Sequence, residues 1–233
     1  MKKLQRLTFV IISAIIFSSC VVITHETQVS SMNQKTELQA FDEVSVAGSM
    51  NVVITQGNGY NVTVKGSDSK AFENLVIYVK GNELNIETKK KFMGFSSSSN
   101  MEGITVYVTM PTIEDIDLAG SGKVTVNRPV TANDFHMDIA GSGDIVINDL
   151  LTCKKLEVDI AGSGNVLVKH LKANKLDTDI AGSGYAEFGD IDVDFVESEI
   201  AGSGNIKMQG RAARHTEDIT GSGNVDFSGL TAQ

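Results

Sequence analysis

The sequence predicts an all-β protein built as a parallel β-solenoid, of the right-handed β-helix type, with coils of about 20 residues. Two observations predict this fold: a tetrapeptide returns at nearly constant spacing, and apolar residues alternate with polar ones after each copy. The composition agrees, since the 233-residue chain holds 22 glycines, two prolines and 41% apolar residues. Such a chain is too apolar to be disordered and too rich in glycine to be a helical bundle.

The repeated tetrapeptide sets the length of the coil. Its steps along the chain are 21, 21, 20, 20 and 19 residues, and a degenerate copy, AGSMN, occupies residues 47–51. Because glycine permits backbone angles that are closed to other residues, we interpret each Gly-Ser-Gly as a corner between strands. The complete copies read Ala-Gly-Ser-Gly, or Thr-Gly-Ser-Gly in the last case, and begin at Ala119, Ala140, Ala161, Ala181, Ala201 and Thr220.

Alternating apolar residues on both sides of each corner predict strands with one buried face. A leading strand precedes the corner, as in Leu156-Val158-Ile160, and the residues two and four positions after the second glycine are apolar in every copy. One such unit cannot bury its apolar face alone, whereas stacked units can. A third inward position, seven residues after the second glycine, is assigned to Leu150, Leu171, Ile191 and Leu230.

The predicted β-helix domain spans residues 38–233 and has two parts. Residues 111–233 carry the regular coils, whereas 38–110 form a less regular first half. Within that half, the apolar segments Val76–Val79 and Leu84–Thr88 flank the turn-forming sequence KGNE and predict a hairpin. The segment Lys89–Asn100 is interpreted as a protruding loop, either a mobile insertion or a tip that binds a partner.

The first 37 residues carry an export signal and a tether. A basic start precedes an eleven-residue apolar run that is too short to span a bilayer as a helix, so residues 1–19 are predicted to be a signal peptide. The small residues before Cys20 resemble a bacterial lipobox, which implies cleavage before Cys20, its lipidation, and attachment to the membrane. An ordinary signal peptide with a bystander cysteine is the alternative. Residues 20–37 are polar and are interpreted as the tether.

Charge and cysteine content exclude several classes of function. Removing residues 1–19 would leave 17 basic and 29 acidic residues, a net charge of −12, which argues against binding nucleic acid. A lipidated Cys20 would leave Cys153 as the remaining thiol. Cys153 falls in a column of small inward residues, so we expect it to be buried and inert. We expect no cofactor.

Acidic residues recur at two outward positions of the leading strands. One position holds Asp115, His136, Glu157, Asp177, Glu197 and Thr216. Stacked like charges repel, so this face either binds cations or a basic partner, or is simply a soluble face that discourages edge association. We expect the second case, and therefore no metal site. The other position, two residues later, forms a candidate acidic surface column of Asp117, Asp138, Asp159, Asp179, Glu199 and Asp218.

An enzyme of the carbohydrate-cleaving β-helix class is considered and disfavoured. Such enzymes place paired carboxylates in a groove walled by long loops, whereas the corners here are short and evenly spaced. The four histidines are scattered, with no nucleophile beside them to suggest a triad, and His136 and His170 are expected on the solvent face.

Arg211, Arg214 and His215 interrupt the apolar columns of the last coil. That end is therefore either blunted or used in self-association, so a homo-oligomer is a possible assembly.

Several motifs together resemble one bacterial family. They are the lipobox, the FDEV segment at residues 41–44, the NVVITQG segment at 51–57 and the Gly-Ser-Gly-Asn repeats. The combination resembles the putative auto-transporter adhesin, head GIN domain family, over roughly residues 38–230. The resemblance implies a β-helix-like fold on the cell envelope and a role in adhesion, and it supplies no catalytic residues.

We therefore expect a lipid-anchored, non-catalytic, adhesin-like binding or structural module whose ligand is a glycan or a protein. We expect it in the cell envelope, on the periplasmic or the external face of the outer membrane. A carbohydrate-active enzyme and a periplasmic envelope scaffold are the alternatives.

Overall fold

The computed structural model describes residues 40–66, 69–89, 101 and 103–232. The predicted signal peptide, Cys20 and the whole of the tether therefore lie outside the described residues, as does all of the predicted loop except Lys89. In the described residues, no helix is long and apolar enough to cross a membrane.

The described residues form one sheet of sixteen strands, with one short helix, α1 (Ser69–Asn74). The strands are β1 (Glu43–Gly48), β2 (Asn51–Gln56), β3 (Asn61–Gly66), β4 (Leu75–Lys80), β5 (Glu83–Thr88), β6 (Ile104–Met110), β7 (Asp115–Gly120), β8 (Lys123–Val126), β9 (Val130–Thr131), β10 (Asp134–Gly141), β11 (Asp144–Thr152), β12 (Lys155–Gly162), β13 (Asn165–Gly182), β14 (Tyr185–Gly202), β15 (Asn205–Gly221) and β16 (Asn224–Thr231).

Successive coils stack as parallel strands in register, which confirms the predicted solenoid. Strand β12 pairs in parallel with β10 and β13, and equivalent residues of the repeat lie opposite one another, as Ala161 does with Ala140 and Ala181. The pairing continues from β13 to β14 and from β14 to β15, strands long enough to turn corners of the coil. The repeat of about 20 residues therefore corresponds to one coil.

The less regular first half contains the first coil and a cap. Strands β1 and β2 pair in parallel with β7 and β8, and Ala47 lies opposite Ala119, so the degenerate tetrapeptide is the corner of that coil. Strands β5 and β6 add one further parallel layer on the other side of β1 and β2. The antiparallel strands β4 and β3 then close this end. The predicted hairpin is confirmed as β4–β5, with Gly81 at φ +68° in its turn.

The inward residues form columns that are buried in the body of the solenoid. Val124, Ile145, Val166, Ala186 and Ile206 stack in one such column and are at most 1% exposed. In the last described coil Val225, at the same position, and Phe227, two residues on, are only half-buried, since no other described strand stacks on them. Another inward column changes from apolar to polar toward that end, in the order Leu84, Val44, Ile116, Met137, Val158, Thr178, Ser198, Glu217.

The first glycine of each tetrapeptide is required by both backbone angle and space. Gly162 has φ +131°, a value that side-chain-bearing residues rarely adopt. A Cβ added there would collide with the carbonyl oxygen of Gly141 in the preceding coil. The close stacking of corners therefore explains why the motif repeats.

The assignment of Leu150 to an inward column is wrong. Leu150 is 40% exposed, whereas its neighbour Leu151 is buried and pairs with Leu171 of the next coil. The coil between Ala140 and Ala161 has 21 residues against 20 in the next. The extra residue is absorbed by an irregularity between Ile147 and Leu150, which moves the inward position one residue along.

Candidate functional site

The outward residues of the leading strands form one continuous acidic face along the solenoid. Parallel pairing places each of the predicted carboxylates beside its equivalent in the next coil, about 4.8 Å away from strand to strand. We call the two stacks column A and column B. Column A runs through Glu43, Asp115, His136, Glu157, Asp177, Glu197 and Thr216. Column B comprises the six predicted residues Asp117, Asp138, Asp159, Asp179, Glu199 and Asp218, stacked in that order.

Four carboxyls of column B, from Asp117 to Asp179, have a raised pKa and hold protons more tightly than carboxyls in water. Partial burial, together with the charge of Asp138, raises the pKa of Asp159 to about 6. Burial likewise raises the pKa of Asp179 to about 6, with Asp159 contributing. Burial also raises the pKa of Asp117 and of Asp138, and the charge of Asp117 contributes to the rise at Asp138. The column can therefore relieve its repulsion by taking up protons.

Three carboxylates converge at the N-terminal end of the face. Asp115, Asp117 and Asp138 can place one oxygen each within 4.8 Å of the others. Burial and the nearby Asp117 charge raise the pKa of Asp115 to about 7, and its Oδ1 is enclosed without a hydrogen-bond partner. Carboxylate oxygens suit hard cations such as calcium. The side chain of Asp115 nevertheless remains 27% exposed, so water also reaches this group. The expectation that the face binds no metal stays a prediction.

Two lysines neutralise part of column A. Lys155 Nζ lies 2.5 Å from Glu157 Oε2 and 3.6 Å from Asp177 Oδ2. One coil later, Lys175 Nζ lies 2.9 Å from Asp177 Oδ2 and 2.7 Å from Glu197 Oε2. The hydrogen bonds to Asp177 and Glu197 raise the pKa of Lys175. Column A thus becomes a ladder of ion pairs in these coils, whereas the described residues give column B no such cation.

The sequence analysis missed these lysines and two acidic members of the face. Lys155 and Lys175 occupy the same position of successive coils, 20 residues apart, and that spacing was the available signal. Glu43 and Glu83 extend column A into the cap. Glu83 lies beyond an insertion that breaks the repeat, so spacing alone carries no signal for it.

The histidines and the free cysteine do not assemble a nucleophilic site among the described residues. The side chain of His136 is 43% exposed and lies 3.5 Å from Glu157 and 3.9 Å from Asp115. His170 is also exposed and lies 3.8 Å from Asp190. Cys153 is buried, as expected, and burial together with the Asp134 charge raises the pKa of its thiol to about 12. A thiol with so high a pKa is a poor nucleophile.

A shallow groove of mixed charge runs along another side of the coils. It consists of two adjoining depressions of about 290 and 350 Å³, and Lys172 and Asp192 line both. Arg211 Nη2 hydrogen-bonds to Asp192 Oδ2 at 3.2 Å, so the charges there are largely paired within the protein. The groove is open along its length and offers contact area for an extended ligand.

The family of the chain follows from its match to a family model. Residues 40–169 and 166–233 match the family described as "putative auto-transporter adhesin, head GIN domain". The chain belongs to this family. The two matched ranges cover the first coil, the cap and the regular coils, so the resemblance seen in the sequence is confirmed. A comparison with curated proteins gives no match.

Solved structures of similar proteins share the fold. A putative adhesin from Parabacteroides distasonis ATCC 8503 has a TM-score of 0.68 at 19% identity, over 82% of this chain and 93% of that one. A putative lipid binding protein from the same organism has a TM-score of 0.66 at 23% identity, over 81% and 93%. A putative adhesin from Bacteroides fragilis NCTC 9343 has a TM-score of 0.64 at 20% identity, over 82% and 93%. At these identities the likeness shows the fold alone.

Proposed function

We propose that the chain is a lipid-anchored module of the cell envelope that binds its ligand non-catalytically through the sides of the solenoid, as an adhesin does. The observation that carries this proposal is the continuity of the acidic face, on which column B presents one carboxylate per coil from Asp117 to Asp218. A surface that repeats one chemistry at strand spacing suits an extended ligand contacted at many points. Membership of an adhesin family supports the same function.

The anchor is the lipid on Cys20, and the tether is residues 20–37. Cells that express the full chain and grow with labelled palmitate test it directly. We expect label in the wild-type protein and in Cys153→Ala, and none in Cys20→Ala. Label that persists in Cys20→Ala, or is missing from the wild type, would show that the lipobox resemblance is accidental.

Catalysis is the rival function, and the arrangement of carboxylates argues against it. Glycosidase carboxylates face one another across a bound sugar, with about 5–10 Å between them. Here the carboxylates of columns A and B lie side by side on one outward surface, and Lys155 and Lys175 already pair with several of them. Incubation of the protein with a panel of polysaccharides should release no reducing ends, and a release that Asp159→Asn abolishes would favour the enzyme.

Arrays of glycans and envelope proteins identify the ligand class. We expect binding to weaken when the side of the solenoid that contacts the ligand is altered. The triple variant Asp138→Asn, Asp159→Asn, Asp179→Asn tests the acidic face, and Lys172→Ala with Asp192→Ala tests the groove. Failure of every such variant to alter binding would show that the sides of the solenoid are not the binding surface. A periplasmic scaffold, the remaining alternative, would bind envelope partners only.

A further inference from the structure

One end of the solenoid is covered by antiparallel strands, whereas the other end presents unpaired strand edges in the described residues. Antiparallel strands β3 and β4 cover the N-terminal end. At the other end, β16 pairs only with β15, and residues 212–221 of β15 pair only with β14. In the described part of the chain, both terminal segments therefore present an unpaired strand edge. Such an edge is a template for pairing with another chain.

The last coil also leaves core positions open at this end. Ile219, Val225 and Phe227 are half-buried, although their counterparts Ile200, Ile206 and Met208 in the preceding coil are at most 2% exposed. A neighbour stacked on the end would complete the burial of these side chains, as each coil does for the one before it.

The side chains on the terminal strand of one copy are complementary to those of a second copy that runs antiparallel to it. Arg214 and His215 precede Thr216, and Glu217 and Asp218 follow it, and all five residues are exposed. We propose that the partner of this end is a second copy of the chain, joined end to end about a two-fold axis that passes through Thr216. Two strands related by such an axis run antiparallel, so Arg214 faces Asp218 of the partner subunit and His215 faces Glu217 of the partner subunit.

Charge selects this register over its neighbours. In an antiparallel pair, directly opposite residues point to the same side of the sheet. The two-fold axis must therefore pass through a residue, and the nearest alternative registers move the axis to the residue before or after Thr216. An axis at Glu217 would set two like carboxylates against each other. An axis at His215 would place Arg214 opposite Thr216 and leave Asp218 facing Ala212. Only the axis at Thr216 places Arg214 opposite a carboxylate, that of Asp218, with His215 opposite Glu217.

The polar inward column supports the same assembly. Thr178 and Ser198 are fully buried, and their hydroxyl oxygens have no hydrogen-bond partner. Glu217 lies directly above Ser198 in this column. In the joined solenoid, Glu217 and the facing His215 of the partner subunit would end the column as a hydrogen-bonded pair between the two cores. A polar cap facing water is the alternative explanation of these residues, and it requires no self-complementarity.

Cross-linking of the full chain in cell membranes tests the position of the axis. In a Cys153→Ala background, Thr216→Cys should give a disulfide-linked dimer on oxidation, because directly opposed residues approach to about 5 Å. Thr220→Cys is the matched control on the same strand. Its two copies would lie eight residues apart, roughly 27 Å at strand rise, and should not cross-link. A dimer with Thr220→Cys but not Thr216→Cys, or with neither, would overturn the proposal.

Charge exchange tests the pairing itself, by sedimentation of the detergent-solubilised full chain. Arg214→Asp and Asp218→Arg should each raise the dimer dissociation constant about tenfold or more, because each sets like charges together twice across the axis. The double variant should restore the wild-type value within about threefold, as should an equimolar mixture of the two single variants. Thermal unfolding of each variant confirms that it is folded. A wild type that is monomeric at all concentrations, or a double variant that is not restored, contradicts the two-fold dimer.

Discussion

Replacing Asp159 with asparagine should stabilise the protein at pH 8 and leave its stability unchanged near pH 3.5. The pKa of Asp159 is about 6 in the folded protein against an ordinary value of 3.8, so the folded state binds this proton more tightly than the unfolded state. Stability therefore falls as pH rises from about 4 through 6. Asparagine, which cannot ionise, removes this loss.

The magnitude follows from the two pKa values. Their difference corresponds to about 3 kcal/mol if the carboxyl were fully shielded from water. Because Asp159 lies on a partly exposed face, screening by water reduces the expected gain to roughly 1 kcal/mol. For a domain of this size, a gain of that order raises the unfolding midpoint by about 2–4 °C.

Chemical denaturation of the variant and the wild type across pH 3.5–8 measures this difference. Asp190→Asn is the matched control, since Asp190 is 81% exposed and lies away from the acidic face. We expect the gain in free energy of unfolding of Asp159→Asn over wild type to grow between pH 4 and 7. The free energy of unfolding of Asp190→Asn should stay within a few tenths of a kcal/mol of wild type throughout. An Asp159→Asn variant that is less stable than wild type at pH 8 would show that column B does not repel itself.

Four further outcomes are expected. Gly162→Ala should lower the free energy of unfolding by about 3 kcal/mol or more, because its methyl group would collide with the neighbouring backbone at a positive φ. Gly103→Ala, where the added methyl group meets open space, should lower it far less. Equal losses for the two variants in urea denaturation would contradict the stacked corners. Thr178→Val should raise the free energy of unfolding by about 1 kcal/mol, since it replaces a buried hydroxyl that has no hydrogen-bond partner. Thr131→Val, at an exposed position, should leave the free energy of unfolding unchanged. A loss of stability in Thr178→Val would show that the hydroxyl does form a hydrogen bond. Cys153 should react with a thiol reagent only on unfolding, and rapid labelling of the native protein would contradict its burial. Millimolar calcium should move the thermal midpoint at pH 8 no further than sodium chloride of equal ionic strength, and a specific rise of several degrees would show that the acidic face binds metal.

The repeat made most of the fold predictable. A parallel solenoid places like on like, so the period and the alternation together determine which residues stack and which point inward. The alignment of the AGSMN copy with the later corners shows that even a degenerate repeat keeps its place in the stack. The error at Leu150 has the same origin, because a fixed count from the corner ignores the extra residue of a 21-residue coil.

The cap and the ion pairs were less predictable for a physical reason. Strands β3 to β6 lie outside the repeat, so local patterns indicate strands without indicating their neighbours. The parallel partner of β1 on the cap side is β5, some 40 residues away, and β4 and β5 are antiparallel. The carboxylate stacks followed from the spacing, whereas their raised pKa values depend on burial and on distances between side chains of different coils. A sequence pattern does not contain those distances.

The most direct test of the proposed function is the accessibility of the full chain on intact cells. Protease or antibody added from outside should reach the wild-type protein at the cell surface, and Cys20→Ala should be lost from the membrane fraction. A periplasmic marker must remain protected in the same cells. Exposure is the result expected of a lipid-anchored adhesin. Full protection of the wild-type chain, with digestion only after the outer membrane is opened, would contradict it and indicate a periplasmic scaffold.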